Sequence, residues 1–108
     1  MKAYAEEVRN PFNERSPKGV AWELVKAKWG IQEWASFEQI GIKESGFNPY
    51  SVNSSSGACG IPQALPCSKM NAENWDYETQ LKWMVDYIDN RYGTPSKAWE
   101  FHQENGWY

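Results

Sequence analysis

Three stretches of this chain are bracketed by the residues that start and stop helices. Ser16-Pro17 offers a side-chain cap followed by proline at the first helical position, and Gly30 supplies the stop. Asp76 precedes the run Tyr77–Arg91, which Gly93 ends, and Thr94-Pro95 precedes a last run that stops at Gly106. Within the brackets apolar residues recur every three or four positions: Val20, Ala21, Leu24 and Val25 in the first, Leu81, Met84, Val85 and Ile88 in the second. Trp83 and Tyr87 flank that second stripe, and the last run carries Ala98, Trp99, Phe101 and His102. A further helix is predicted over residues 32–43, with Trp34, Phe37, Gly41 and Glu44 on one face. The fold class is therefore mainly α. A length of 108 residues supports one core, so residues 16–108 read as a single domain behind a polar, loosely attached arm at residues 1–15.

The stretch between the second and third helices has another character. Ser45-Gly46 stops the second helix, and Asn48-Pro49 forces an extended or turned path, because the residue before proline is pushed out of the α region. Residues 46–67 then read as a long polar loop, with a glycine-punctuated turn at Gly57-Ala58-Cys59-Gly60 and one short helical turn at residues 63–65. Sheet-like pairing over residues 51–61 is only weakly signalled. Glu44 sits at the end of an apolar stripe in the last turn of a helix, facing this loop. Two effects raise the pKa of such a carboxyl: the negative end of the helix dipole and the loss of water around it. A neutral carboxyl facing amides and hydroxyls suits proton donation to a polar substrate. The competing reading is a solvated glutamate near a helix end.

Composition narrows the partners. A net charge of −3 and the lack of any Lys/Arg cluster argue against nucleic acid. No apolar run has the length of a transmembrane helix, so membrane insertion is not expected. The start, MKAYAEEVRN, lacks the apolar centre of a secretory leader, which fits a mature or excised domain, or export by other means. Seven Trp, six Tyr and four Phe exceed what so small a core requires, leaving some to line a groove where their faces can stack on sugar rings. Two cysteines, Cys59 and Cys67, with one distant His102, do not make a zinc site, and no metal is expected. They are either free thiols or a disulfide, which would stabilise by about 2–3 kcal/mol and imply an oxidising environment.

Taken together, KESGFNP (residues 43–49), SSGACGIPQALP (55–66), SKM (68–70), RYGTPSKAW (91–99) and the terminal GWY (106–108) resemble the transglycosylase SLT domains of the lysozyme superfamily. The likeness covers residues 20–108 and is nearest to the short forms found in actinobacteria and in phage tail proteins. It implies a lysozyme-like, mainly α single domain with a long active-site loop. It also implies an enzyme that cleaves the β-1,4 bond between N-acetylmuramic acid and N-acetylglucosamine, leaves a 1,6-anhydro ring, and uses no metal or cofactor. By motif position, Glu44 is the general acid/base. Gln63 and the backbone of Gly57, Ala58, Gly60 and Ile61 match the sugar-binding loop, with Asn53, Ser45 and His102 as further candidates for substrate contact. Cys59 and Cys67 stand where relatives are expected to carry tyrosine and glycine, and the paired departure favours a disulfide. Longer relatives carry a tyrosine near the position of Phe101-His102, a role not transferred here.

Most glycosidases flank the scissile bond with two carboxyl groups. Residues 45–68 contain no Asp or Glu, and Asp76, Asp86 and Asp89 are explained by capping or solvation. A lytic transglycosylase fits this shortage, because the muramic acid's own C6 hydroxyl is the nucleophile. The alternatives are a hydrolytic lysozyme on the same fold, with a second carboxylate across the cleft, and a non-catalytic peptidoglycan-binding or phage-tail module. Either way the expected partner is the glycan strand of peptidoglycan, met by a monomer outside the cell or on its wall.

Overall fold

The structure is a computed structural model that describes residues 8–108, with Asn74 described by its backbone alone. Among the described residues it is mainly helical, with no strands. Four helices carry it: α1 (Pro17–Lys28), α2 (Trp34–Ser45), α3 (Tyr77–Arg91) and α4 (Pro95–Asn105). The start signals act as their chemistry requires. Ser16 Oγ accepts the Gly19 N–H at 3.0 Å, Asp76 Oδ2 that of Thr79 at 3.3 Å, and Thr94 Oγ1 that of Lys97 at 3.3 Å. The helix expected at residues 32–43 is shifted: a 3₁₀ turn, Ile31–Glu33, leads into α2, which continues to Ser45. Glu33 explains the tight turn, since its Oε1 accepts the Ser96 N–H at 2.8 Å and so ties the start of α2 to the start of α4.

α1 packs on α3, and α2 packs on α4 and α1. Their apolar stripes meet in one core that includes Val25, Phe37, Ile40, Leu81, Met84 and Ile88, all fully buried. The arm is anchored over residues 8–15. Asn10 Nδ2 donates to the Gly19 carbonyl at 2.9 Å, Phe12 packs against Trp34 with ring centroids 5.5 Å apart, and the Tyr77 hydroxyl donates to the Arg15 carbonyl. Its earlier residues lie outside the described ones.

The turn that ends α2 fixes the direction of the loop. Gly46 is left-handed (φ 65°), and so is Phe47 (φ 58°), a backbone region costly for a non-glycine residue. Burial of the Phe47 ring offsets that cost, and Gly41 makes room for it: a Cβ on Gly41 would lie 2.4 Å from Phe47 Cε2. The glycine on the apolar face of α2 is thus the seat of an aromatic ring six residues on.

The loop is irregular, held by two isolated antiparallel bridges, Val52 with Cys59 and Cys59 with Ala64. The short helical turn lies at Cys67–Met70, not at residues 63–65, where Ala64 instead pairs with Cys59 in both directions at 3.0 and 3.1 Å. Cys59 and Cys67 form a disulfide across this segment. Such bonds form and persist in oxidising, extracellular surroundings. Among the described residues no helix is long and apolar enough to cross a membrane. A buried amide locks the loop to α3. Gln80 Oε1 accepts the Ile61 N–H at 2.8 Å while its Nε2 donates to the Pro49 carbonyl at 3.1 Å.

Candidate active site

The end of α2, the loop, the outer turns of α3 and the C-terminal tail enclose a cleft of about 460 Å³. Glu44 is in it, and it is the one Asp or Glu side chain among the described residues of the lining. Asn53, Ala58, Gln63 and Ala64 come from the loop, Trp83, Tyr87 and Arg91 from α3, and Trp107 and Tyr108 from the tail. The α3 residues follow one helical ridge at intervals of four, so one face of one helix supplies an entire wall.

Glu44 keeps only 17% of its side-chain exposure, and Oε2 lies 2.7 Å from Nε2 of His102, itself 10% exposed. Withdrawal from water raises the pKa of the Glu44 carboxyl, and the imidazole bond and charge pull it the other way. The direction agrees with the expectation from the sequence, and burial is the dominant cause. Beside it Tyr108 is buried, its hydroxyl donating to the Pro62 carbonyl at 3.1 Å and its main-chain oxygen accepting from the Tyr87 hydroxyl at 2.6 Å. Burial, with the Glu44 carboxylate as a lesser cause, holds the Tyr108 phenol well above its ordinary pKa, so it stays neutral.

The other candidates divide between lining and support. Asn53 and Ala58 face the cleft. Asn53 Oδ1 is spent on the N–H groups of Ser55 and Ser56, shaping the turn. Gln63 lines the cleft from a left-handed backbone (φ 55°), with its Nε2 donating to the Ser51 and Gly60 carbonyls. Ser45 is a clip: its Oγ donates to the Ile61 carbonyl at 2.7 Å, joining the residue after Glu44 to the loop. Ile61 is buried in the core, and Gly57 is an exposed turn glycine with open space around it. Gly60 (φ 77°) sits where a Cβ would lie 2.6 Å from Gln80 Oε1, so the loop closes against α3 only with glycine there. His102 reaches Glu44 from behind and is not part of the lining.

Gln80, which holds the loop, and Lys69 and Arg91, which line the cleft, also belong to the site. Gln80 interrupts no stripe and carries no motif, and only its two backbone partners reveal its task. Arg91 was legible as four residues beyond Tyr87 on the same ridge. Its guanidinium lies 5.3 Å from the Trp107 ring and 5.8 Å from that of Tyr87.

A poorly hydrated carboxyl with one fixed hydrogen-bond partner, opening onto aromatic walls, is equipped to give and take a proton at a ring-shaped polar substrate. No protein-family model, curated protein or solved structure matches the chain.

Proposed function

We propose that this chain is a peptidoglycan lytic transglycosylase with a lysozyme-like fold, cleaving between N-acetylmuramic acid and N-acetylglucosamine with Glu44 as its single acid/base. The observation that carries the reading is the solitary carboxyl of Glu44, mostly withdrawn from water at the wall of an aromatic-lined cleft. Its raised pKa keeps a share of the carboxyl protonated, as a general acid requires.

In the first step neutral Glu44 gives its proton to the glycosidic oxygen, the bond from that oxygen to the muramic acid C1 breaks, and N-acetylglucosamine leaves with a free 4-hydroxyl. Positive charge develops at C1. The C6 hydroxyl of the same muramic acid then bonds to C1 and yields its proton to the Glu44 carboxylate. Glu44 returns to its neutral state, and no water is consumed. A hydrolase needs a base opposite the acid to activate water, and no second Asp or Glu side chain lines the cleft among the described residues. Trp83, Tyr87 and Trp107 line the cleft and supply aromatic surface for the apolar C–H faces of the sugars.

Mass spectrometry of the muropeptides released by the purified chain tests this. Anhydromuramic ends, lighter by one water than reducing ends, are expected; reducing ends would make it a hydrolase. Glu44→Gln is expected to abolish lysis while binding to walls persists. Undiminished lysis by that variant would remove Glu44 from the mechanism, and binding without lysis by the unaltered chain would make it a binding module.

A further inference from the structure

We propose that His102 is the positioning residue of the site: its Nε2–H occupies Oε2 of Glu44, so that the proton exchanged with the substrate rides on Oε1. The proposal rests on the catalytic reading of Glu44 above, but the bond itself is a property of the unliganded protein.

The two residues stand 58 positions apart and meet because α2 and α4 pack against each other, with Glu44 in the last turn of one and His102 in the last turn of the other. The imidazole has little freedom. It is nearly buried, the Trp99 ring lies 5.4 Å away on one side, and the Tyr108 ring lies 6.2 Å away. The 2.7 Å contact can be made in two ways. A protonated Oε2 could donate to a bare Nε2, but that would hold the catalytic proton in an internal bond facing away from the substrate. With the proton on Nε2, the same bond serves both halves of the reaction. The neutral acid carries its proton on Oε1, and the carboxylate left after transfer accepts Nε2–H while Oε1 takes the next proton. His102 neither gains nor loses a proton in the cycle.

The cleft's other titratable and charged groups do not compete for Oε2. The Tyr108 hydroxyl is committed to Pro62 and that of Tyr87 to the Tyr108 main-chain oxygen. Lys69 and Arg91 line the cleft and make no ion pair with Glu44. Among the described residues His102 is the hydrogen-bond partner of the Glu44 side chain. Its bond also opposes the rise that burial imposes on Glu44, which keeps the same carboxyl usable as a base in the second step.

The test is carboxyl-carbon NMR titration of Glu44 in the whole chain, alongside the pH dependence of kcat/KM on peptidoglycan, for His102→Phe and His102→Gln. Phenylalanine fills the space without an N–H, whereas the glutamine amide restores a donor of similar reach. In His102→Phe the Glu44 pKa is expected to rise above that of the unaltered chain. The alkaline limb of the profile should follow it upward, and kcat should fall by about 100-fold, the cost typical of a misplaced catalytic group. In His102→Gln the titration and the alkaline limb are expected to stay near those of the unaltered chain, with most of kcat recovered. A Glu44 pKa unmoved in His102→Phe would overturn the proposal, as would a folded His102→Gln as inactive as the phenylalanine variant. Should His102→Phe not fold, the glutamine arm decides alone. Failure of the unaltered chain to cleave any glycan would overturn the proposed function, while the NMR arm would still read the Glu44–His102 bond.

Discussion

Removing the disulfide gives a perturbation whose size follows from the chain path. Cys59 and Cys67 are eight residues apart, and a cross-link of that span removes about 2.5 kcal/mol of loop-closure entropy from the unfolded chain. Cys59→Ala/Cys67→Ala is the right variant, because Cys59 is buried beside Ala64 and Met70 and a serine there would bury a hydroxyl. In a domain of this size, with about 2.1 cal/mol/K of unfolding entropy per residue, the loss corresponds to a fall in Tm of roughly 10 °C. Far-UV circular dichroism melts of the oxidised chain, the reduced chain and the double variant should show the last two agreeing and the first well above them. The wall should loosen too, since Ala64 and Leu65 lie within the closed loop and both line the cleft. Oligosaccharide binding should therefore weaken in both altered forms. A fall in Tm of less than about 3 °C would refute the reasoning, for then the backbone pairing of Cys59 with Ala64 would already close the loop without the sulfur bridge.

Two further outcomes test separate links. The Glu44 pKa is raised in the folded state, so the stability it contributes is fully present below its ordinary value of 4.5 and is lost as pH rises through the folded value. Glu44→Gln should accordingly be more stable than the unaltered chain at neutral pH by urea titration, with the gap shrinking on acidification; a gap that widened toward acid would reverse the assigned direction. Gly41→Ala should destabilise by about 1–2 kcal/mol, because displacing the buried Phe47 ring outweighs the roughly 1 kcal/mol that alanine gains over glycine in a helix. A stabilised Gly41→Ala would show that the ring moves aside freely.

Much of this molecule was legible before any coordinates. Helix starts were readable because a capping side chain acts on a backbone three residues away, a distance the sequence itself spans. Thus α3 spans Tyr77–Arg91 between Asp76 and Gly93, and α1 and α4 follow their Ser-Pro and Thr-Pro pairs. The core stripes were legible for the same reason: the helical period puts Leu81, Met84, Val85 and Ile88 on one face whatever lies opposite. Glu44 stood out because it closes such a stripe in a last turn.

What lies opposite was decided only by the tertiary structure. The 3₁₀ turn before α2 answers to Ser96, and the helical turn moved from residues 63–65 to Cys67–Met70 because Ala64 is engaged by Cys59. Gln80 reads as an ordinary polar residue until Ile61 and Pro49 close on it. His102, one more polar residue on a helix, becomes the partner of Glu44 through the packing of α2 on α4. Local rules reach one turn of helix or one tight loop, and they fixed where the elements are. The local pattern gave the direction in which the Glu44 proton affinity moves; how deeply the carboxyl is buried, and that His102 opposes the effect, depend on surfaces brought together from distant parts of the chain.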